Sequence, residues 1–427
     1  MPSLRFPEFR DDGEWEEKRL IDTADKKIRW SFIGGPFGSN LKSSDYVENG
    51  VRVIQLQNIG DAEFFDNYKI FTSKEKADEL LSNNIYPGDI ILSKMGDPVG
   101  RACLIPKFHD RYVMCSDGIR LAVDENSYSK YFVYLLINSV QFRSLVEKTA
   151  TGSTRKRIGI DDLKNLPLYV PEKEEQQKIA DCLAAIDALI TAQTQKRDAL
   201  KTHKKGLVQQ LFPAEGETQP QLRFPEFQDM GEWDVDTLVN VAKFRRGSFP
   251  QPYGLPEWYD DENGMPFIQV FDVSDDMKLK PITKIKISEL ATEQSVFIEK
   301  GTVIITIQGS IGRVAITQYD AYIDRTLLLF QEFLRPLEKN FFAYTIQILF
   351  EIEKQKAPGG IIKTITKESL SDFEVKLPSF AEQKKIADCL ASLDALITAQ
   401  AEKIDALKTH KKGLMQQLFP AMDEVST

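Results

Sequence analysis

The chain has 427 residues, of which 42% are hydrophobic and 28% charged, and its 55 basic and 64 acidic side chains give a formal net charge of -9. This length predicts about two to four folding units, each large enough to bury its own core. The composition excludes a membrane protein, because no apolar run approaches the roughly 20 residues that a span requires. The acidic balance argues against a protein that coats nucleic acid without regard to sequence, although it is compatible with a local basic groove.

Cysteine and histidine are too sparse and scattered to predict a disulfide framework or a metal site. The four cysteines form no CxxC pair, and the three histidines lie far apart in the sequence. The first residues, MPSLRFPEFRDD, lack the basic and apolar regions of a signal peptide, so a cytosolic protein is expected.

A short block opens the chain and returns near its middle. The sequence LRFPEF occupies 4–9 and 222–227, and Gly-Glu-Trp follows at 13–15 and at 231–233. Each block precedes an insert of roughly 150 residues, and the two inserts do not align by eye. The second block follows a long helix predicted at 172–213 after only a short polar linker. The N-terminus is therefore expected to lie near the end of a second long helix predicted at 379–420.

The first insert is predicted to be rich in strands. Residues 51–57 alternate with a period of two, and the turn Pro-Gly-Asp at 87–89 leads into a hairpin of 90–95 and 101–105. A strand-like segment at 116–121 precedes an amphipathic helix near 129–148.

Loops of the first insert carry side chains that suit contacts with DNA. Arginine can address guanine, lysine the phosphates, and glutamine or asparagine the adenine edge. The loop TATGSTRKR at 149–157 combines glycine, hydroxyls and three cations, and Gln55 and Gln57 would share one strand face. Each residue alone would also suit a solvated surface, so the prediction rests on the whole set. The candidates are Ser39, Asn40, Lys42, Gln55, Gln57, Asn58, Lys94, Arg101, Arg120, Thr154, Arg155, Lys156 and Arg157.

A long helix is predicted after the first insert, and its sequence returns after the second. Residues 175–213 and 382–420 are identical at 32 of 39 positions. Apolar residues recur at spacings of four and three, and prolines flank both segments. The predicted seam comprises Ile179, Leu183, Ile186, Ile190, Leu200, Leu207 and Leu211 in the first copy and Ile386, Leu390, Leu393, Ile397, Ile404, Leu407, Leu414 and Leu418 in the second.

Two copies of one apolar stripe predict that the helices pair as an antiparallel coiled coil, although each helix could instead pack on its own domain. About 40 residues at 1.5 Å each give a rod of about 60 Å. The basic tract at 201–205, repeated at 408–412, is predicted to be a solvated face, with a contact to DNA backbone or a partner subunit as the alternative.

The second insert repeats the hairpin of the first. A turn at 300–301 leads into 303–307, a second turn spans 309–312, and 313–316 returns. Residues 323–328 and a helix near 337–356 follow, so the inserts are predicted to share a fold. Candidate DNA-binding residues here are Arg245, Arg246, Ser248, Gln269, Gln308, Arg313, Arg325 and Lys363.

Catalytic signatures are missing from the sequence. It contains no P-loop, GxSxG elbow or HExxH motif, and no Asn/Asp-Pro-Pro-aromatic tetrapeptide of the amino-methyltransferases. An enzyme is therefore the weakest interpretation. A coiled-coil adaptor whose inserts bind proteins is a stronger alternative, but the Arg, Gln and Gly loops favour a DNA-binding protein with two readers.

The doubled plan resembles the specificity subunit of type I restriction-modification systems. Each insert is followed by a helix that opens with Glu-Gln-x-x-Ile-Ala, at 175–180 and 382–387, and ends with Gln-Gln-Leu-Phe-Pro. The runs GPFGSNLKSSDY at 35–46, GDII at 88–91 and YIDRTLL at 322–328 resemble segments of its target-recognition domains. The second insert departs from this pattern, since its hairpin begins with Lys-Gly-Thr and its loop at 357–360 has no arginine triplet.

Together, the sequence and the resemblance predict an α+β fold in which two pseudo-symmetric mixed α/β target-recognition domains are separated by two long helices forming an antiparallel coiled coil. The expected divisions are a first domain at 1–171, a helix at 172–213, a linker and second domain at 214–378, a helix at 379–420 and a tail at 421–427.

The resemblance implies a subunit that is not an enzyme by itself. Each domain would read one half of a bipartite, asymmetric site in double-stranded DNA, and the helices would space the domains and dock two methyltransferase subunits. No cofactor is expected in this chain. S-adenosylmethionine, ATP and magnesium would belong to the partner methyltransferase and restriction subunits.

Overall fold

The computed structural model of the protein describes residues 1–356 and 370–420. The chain divides into two units, the first with residues 1–194 and 402–427 and the second with residues 195–401. Both units mix helices with sheets, which confirms the predicted α+β class. In the described part of the chain, no helix is both long and apolar enough to cross a membrane.

The first unit is built from short strands and helices joined by loops and 3-10 turns. In chain order its elements are β1 (Glu16–Arg19), β2 (Phe32–Gly34), β3 (Tyr46–Val47), β4 (Val51–Ile54), β5 (Ile70–Thr72), α1 (Lys74–Glu79), β6 (Asn84–Ile85), β7 (Ile90–Ser93), β8 (Met95–Gly96), β9 (Ala102–Leu104), β10 (Tyr112–Met114), β11 (Gly118–Leu121), α2 (Lys130–Ile137), α3 (Val140–Thr149), β12 (Lys156–Arg157), α4 (Ile160–Lys164) and β13 (Pro167–Val170). The long helix α5 (Lys173–Leu211) follows.

Two sheets stacked face to face form the centre of the first unit. One has the strand order β3-β5-β4-β10-β6 and the other β2-β11-β7-β9, while β1 pairs with β13 and β8 with β12. Ile90 and Leu92 of β7 pack against the helices, whereas Ile91 enters the core between the sheets. Because β7 is buried on both faces, it reads as a continuous apolar run rather than an alternating one.

The second unit follows the same plan. Its elements are β14 (Asp234–Thr237), α6 (Leu238–Val241), β15 (Ala242–Arg246), β16 (Met265–Ile268), β17 (Ile285–Ile287), α7 (Glu289–Thr292), β18 (Val296–Ile298), β19 (Val303–Thr306), β20 (Val314–Ile316), β21 (Ala321–Ile323), β22 (Leu327–Phe333), α8 (Lys339–Lys356) and β23 (Glu374–Leu377), before the long helix α9 (Phe380–Leu418).

The sheets of the second unit correspond to those of the first. One has the order β15-β22-β19-β20 and the other β17-β16-β21-β18, and β14 pairs with β23 as β1 pairs with β13. Val303 and Ile305 of β19 face the helices while Ile304 faces the other sheet. The predicted common fold of the two inserts is therefore confirmed, although their sequences do not align by eye.

The helices α5 and α9 have 39 residues each and run close to the bounds expected from the sequence. In the first unit, Nζ of Lys411 on α9 donates to Asp187 on α5 at 2.6 Å. In the second unit, Nζ of Lys204 on α5 donates to Asp394 on α9 at 2.5 Å. From Asp187 to Lys204 the residue number on α5 rises, while that of the partner on α9 falls from Lys411 to Asp394. The two helices are therefore antiparallel partners.

All fifteen predicted seam residues are buried or half-buried. Those near the helix ends also enter the unit cores: Ile179, Leu183 and Leu418 in the first unit, and Leu211 and Leu390 in the second. The helices therefore combine the two arrangements that the sequence left open, pairing with each other and packing on the units. The basic tract is not wholly solvated, because Lys204 and Lys411 form the inter-helix ion pairs.

The repeated LRFPEF blocks bind the helices in the same way in both units. The N–H of Leu4 donates to the carbonyl of Gln417 at 3.0 Å, and that of Leu222 to Gln210 at 2.9 Å. The start of the chain therefore lies at the end of α9, as the order of the blocks predicts. Arg5 forms a two-pronged ion pair with the buried Glu175, and Arg223 and Glu382 repeat this contact.

Candidate nucleic-acid interface

Loops of the first unit converge where β4 and β10, which are parallel, both end. The N–H of Cys115 donates to the carbonyl of Ile54 at 2.9 Å, and that of Lys94 to Asp117 at 2.7 Å. Pairing of β12 with β8 brings in the cationic loop. We call residues 35–42, 55–63, 94–101, 115–117 and 150–157 the first loop cluster.

Close backbone contact at Gly35 fixes one side of this cluster. Its N–H donates to the carbonyl of Gly118 at 2.7 Å. A Cβ added to Gly35 would lie 1.7 Å from the carbonyl oxygen of Cys115, so only glycine fits here. The loop that begins at Gly35 carries Ser39, Asn40 and Lys42, all exposed.

Most candidate residues of the first insert lie on the first loop cluster with some exposure. The exposed ones are Ser39, Asn40, Lys42, Gln57, Thr154, Arg155 and Arg157. The half-buried ones are Gln55, Lys94, Arg101 and Lys156. The structure thus brings together eleven of the thirteen candidates, although they lie up to 118 residues apart in the sequence.

Asn58 does not lie where the sequence predicts. The strand ends at Ile54, and a 3-10 turn at Leu56–Asn58 carries Asn58 into the interior, where it is fully buried. Its Nδ2 donates to the carbonyls of Phe65 and Tyr68 at 2.8 and 2.9 Å. The same turn removes the predicted strand face shared by Gln55 and Gln57. Asn58 therefore holds the loop together and is not available to DNA.

Arg120 is a second residue that does not lie where the sequence predicts. It lies on β11 with only 4% of its surface exposed, and its Nε donates to Asp89 at 2.7 Å. Burial raises the pKa of Asp89, and the charge of Arg120 opposes that shift. A guanidinium held in this buried pair cannot reach a base edge, so the pair supports the turn before β7.

The cations of the loop at 150–157 are partly neutralised by nearby carboxylates. Lys156 donates to Glu147 on α3, and Arg157 donates to Asp117 at 3.2 Å. Arg155 is exposed. The cationic side chains of the loop therefore lie beside β8, but the surface is not strongly basic because two of them are paired with carboxylates.

Loops of the second unit converge in the same manner. The N–H of Asp324 donates to the carbonyl of Ile268 at 3.0 Å, and that of Ile307 to Thr326 at 2.9 Å. A Cβ added to Gly247 would lie 2.4 Å from the carbonyl oxygen of Asp324. Residues 247–253, 269–275, 307–313 and 324–326 form the second loop cluster.

The second loop cluster gathers or borders seven of the eight candidates of the second insert. Arg245, Arg246 and Arg325 are exposed, whereas Ser248, Gln269, Gln308 and Arg313 are half-buried. The loop at 357–360 and Lys363 lie outside the described residues.

Contacts of the second cluster differ from those of the first. Nε of Arg313 pairs with Asp275 at 2.7 Å, and the Arg325 guanidinium lies 5.1 Å from the ring centre of Tyr253. The Ser248 hydroxyl donates to the carbonyl of Gln294 at 2.9 Å. Equivalent loops therefore present different side chains in the two units.

Two further residues, which the sequence does not predict, lie in the first loop cluster or at its border. Phe37 has 83% of its surface exposed at the tip of the loop after β2. Arg143 on α3 pairs with Asp61 at 3.1 Å. An aromatic residue between glycines in a polar loop was a usable signal for Phe37, whereas Arg143 reads as an ordinary polar residue of an amphipathic helix.

Comparison with known proteins gives one consistent family. The family described as "Type I restriction modification DNA specificity domain" matches residues 36–202 and 230–409. A Methanocaldococcus jannaschii protein assigned as the type I restriction enzyme MjaX specificity subunit is 21% identical over 385 residues, covering 88% of each chain. The Escherichia coli EcoBI specificity subunit is 22% identical over 366 residues, covering 78% of this chain and 73% of its own.

Solved structures share the fold. The S subunit of a type I restriction-modification system from M. genitalium superposes with a TM-score of 0.54 at 17% identity, covering 99% of both chains. A chain from a structure of the type I R-M system, reported for its complex assembly and conformational transition, gives a TM-score of 0.57 at 18% identity and covers 98% of this chain and 99% of its own.

Proposed function

Because this chain belongs to the family of type I restriction-modification DNA specificity proteins, we propose that its two units read the two halves of a bipartite, asymmetric DNA sequence. The chain is the non-catalytic specificity subunit. The observation that carries the proposal is the pair of equivalent loop clusters with different side chains. One framework repeated with unlike readers suits a site whose two halves differ in sequence.

The repeated helices support a role as spacer. Each has 39 residues, which at 1.5 Å per residue is about 58 Å of helix. At 3.4 Å per base pair this length corresponds to about 17 base pairs as an upper bound on the distance it can set. We propose that α5 and α9 fix how many unread base pairs separate the half-sites.

The same helices support docking of two copies of one partner. Leu189 on α5 and Leu396 on α9 occupy equivalent positions of the repeat, and each is at least half exposed, at 50% and 55%. Exposed leucines on a paired helix are available to a second apolar surface. The proposed partners are two methyltransferase subunits, joined by restriction subunits in the full complex.

Chemistry is assigned to those partners. The proposed complex takes its methyl group from S-adenosylmethionine and its motor energy from ATP with magnesium, all bound outside this chain. What this chain supplies is position: its loops select the sequence, and its helices hold the partner subunits over that sequence.

The nearly balanced charge of both inserts supports a DNA site that this chain shares with its partner subunits. Residues 20–158 carry 19 basic and 17 acidic side chains, and residues 238–372 carry 16 and 18. Nearly balanced charge gives little of the counterion release that drives DNA binding. The isolated chain is therefore expected to bind DNA weakly at physiological salt, with partner subunits completing the site.

Selection from a random duplex library, with and without the methyltransferase subunits, tests the proposal. We expect the complex to enrich two short, different motifs at a fixed separation, and the chain alone to enrich them poorly. Recovery of no DNA motif together with stable capture of proteins through the inserts would favour the coiled-coil adaptor instead. Tight sequence-specific binding by the chain alone would contradict the shared site.

A further inference from the structure

Three cations in or beside the first loop cluster have a carboxylate partner, and one recessed arginine does not. Arg143 pairs with Asp61, Lys156 with Glu147 and Arg157 with Asp117. That arginine is Arg101. In the described part of the chain, its Nε is buried without a hydrogen-bond partner and no ion pair involves its guanidinium.

The backbone around Arg101 explains how its Nε is shielded from water. A Cβ added to Gly96 would lie 3.5 Å from Nη2 and 4.0 Å from Nε of Arg101, so the guanidinium packs against this loop. Gly96 has a φ of +146°, which favours glycine at that position. A buried guanidinium N–H without an acceptor is unusual, because most buried donors are satisfied.

Arg143 has the same property. Only 13% of its side chain is exposed, and its Nε is also buried without a partner. Burial lowers the pKa of Arg143; Asp61 opposes that shift, and the nearby charge of Arg101 adds to it. Gly100, which precedes Arg101, packs against Val146 on α3, three residues from Arg143. This contact makes the two guanidinium groups neighbours, each with an unused donor, and a bound anion would stabilise them.

The equivalent position of the second unit lacks the second arginine. A Cβ added to Gly100 would meet Val146, and one added to Gly312 would meet Phe350, so these helix positions correspond. Counting back three residues places Gln347 where the first unit has Arg143.

Arg313 follows Gly312 as Arg101 follows Gly100, but it is paired. Its Nε contacts Asp275 at 2.7 Å. Gln347 and Glu351 line the same cavity as Arg313. The described residues of the second unit therefore give this place one arginine with its own carboxylate, whereas the first unit gives it two arginines, of which only Arg143 is paired.

We propose that Arg101 and Arg143 form a phosphate-binding site in the first unit that the second unit does not reproduce. The inference rests on the proposed function, because the ligand is a phosphodiester of the DNA backbone. Both side chains are recessed at the border of the loop cluster, and phosphates are the outermost groups of a duplex. A phosphate oxygen can accept from both guanidinium groups, which have donors in a planar fork.

The site distinguishes the roles of two neighbouring sets of arginines. Arg155 and Arg157 project from the loop and read sequence, whereas Arg101 and Arg143 hold the backbone and fix the register of the first unit. Phosphate contacts position a protein without carrying sequence information. The first unit is thus the more tightly held of the two readers.

The test measures DNA affinity of the assembled complex with its methyltransferase subunits as a function of KCl. Arg101→Ala and Arg143→Gln are each expected to weaken binding about tenfold. Each should also reduce the slope of log affinity against log salt by about 0.9, the value for one lost phosphate contact. The loss should be the same for cognate and altered half-sites, since no base contact is removed.

Matched variants test the comparison between units. Gln347→Arg should add a cation at the equivalent position of the second unit and increase the salt slope of DNA binding. Arg313→Ala should change the salt slope less than Arg101→Ala does. Arg19→Ala, which removes a surface arginine paired with Asp22, should leave the slope unchanged. Thermal unfolding of each variant shows whether it folds, and Arg101→Ala is the more informative because it leaves no carboxylate unpaired.

Addition of inorganic phosphate at constant ionic strength separates two sources of the anion. Inorganic phosphate could raise the thermal stability of the wild type but not that of Arg101→Ala, while the two proteins show the same salt slope of DNA binding. That result would assign the site to a free anion and overturn the proposal. If the wild-type complex binds DNA sequence-specifically and both variants have the same salt slope and affinity as the wild type, the phosphate site is rejected but the proposed function is not. A wild-type complex that selects no sequence would instead reject the proposed function.

Discussion

At the scale of single residues, the cations of the first loop cluster differ in what holds them. Arg155 is exposed, whereas Arg157 must leave Asp117, 3.2 Å away, before it can contact a base. Removing Arg157 also releases the charge of Asp117, which repels phosphates. Both arginines are therefore expected to affect recognition, and both act from one unit only.

Arg155→Ala and Arg157→Ala should each weaken recognition of one half-site by about 1 to 3 kcal/mol per lost base contact. Binding of the complex to duplexes altered in one half-site at a time measures the effect. Lys164→Ala, which removes a surface cation paired with Asp161, is the matched control and should leave binding unchanged. Equal losses at both half-sites would reject the assignment.

Buried thiols provide a check on the core beneath the first loop cluster. Burial raises the pKa of Cys103 to about 12 and that of Cys115 to about 11. Because the thiolate is the reactive form, both remain protonated and slow to react as the pH rises from about 7 to about 9. Cys182 and Cys389 are half-buried on the helices and are the expected sites of modification.

Alkylation with iodoacetamide at about pH 8, read by mass spectrometry, tests this expectation. The folded protein should be modified at no more than the two helix cysteines, and all four should react in urea. Rapid modification of Cys103 or Cys115 in the folded protein would contradict the burial of that core.

Residue types alone predicted candidates that the structure mostly brings together on one surface, but they did not show which candidates are buried. Loop cations and amides were recognisable because arginine and glutamine are chemically suited to DNA. Burial was not recognisable, since Arg120 depends on Asp89, which lies 31 residues away in the sequence. Arg143 likewise depends on Asp61, which lies 82 residues away. Asn58 is held by Phe65 and Tyr68, only seven and ten residues further along, but the irregular loop between them has no periodicity that predicts the contact.

At the scale of elements, each long helix carries one aspartate that joins three structural parts. Asp187 on α5 accepts from Tyr131 on α2 and from Lys411 on α9. Asp394 on α9 repeats this with Tyr344 on α8 and Lys204 on α5. The repeat thus ties helix pairing to domain packing through the same residue in both units.

Asp187→Ala should lower the free energy of unfolding by about 2 kcal/mol, because it leaves the Tyr131 hydroxyl and the Lys411 ammonium without their acceptor. Urea denaturation measures the change. Asp394→Ala should act similarly in the second unit, and the two effects should add because they share no partner. Asp181→Ala, which removes an exposed aspartate of α5, should have little effect; a loss equal to that of Asp187→Ala would contradict the three-way contact.

The helices were predictable as elements because their identity and periodicity are local properties of the sequence. Strands were predictable where a glycine turn starts them, as at β7 and β19. Their ends were less predictable: the run at 51–57 becomes β4 and a 3-10 turn, and the run at 129–148 becomes α2 and α3. In both cases tertiary contacts, including the capping of α3 by Ser139, decide where the element stops.

At the scale of the whole molecule, the spacer proposal makes a quantitative prediction. Deleting residues 191–197 from α5 and 398–404 from α9 removes one heptad from each helix at equivalent positions of the repeat. Seven residues are about 10 Å of helix, or about 3 base pairs. The unread spacer between the half-sites should shorten by about that number.

Motif selection with the doubly shortened complex measures the new separation, and deletion of the heptad from one helix alone serves as the control. A single deletion breaks the match between the paired helices and should destabilise the protein instead of giving a new spacer. A doubly shortened protein that folds and selects the original separation would refute the helices as a spacer.

The packing of the end of α9 has a consequence for how the protein is made. Phe419 is 1% exposed and lies 5.5 Å from Phe132, ring centre to ring centre, within the core of the first unit. The first unit therefore lacks part of its interior until residue 419 has been synthesised, whereas the second unit is a continuous stretch of chain. The two units are therefore completed in the reverse of the order in which their synthesis begins.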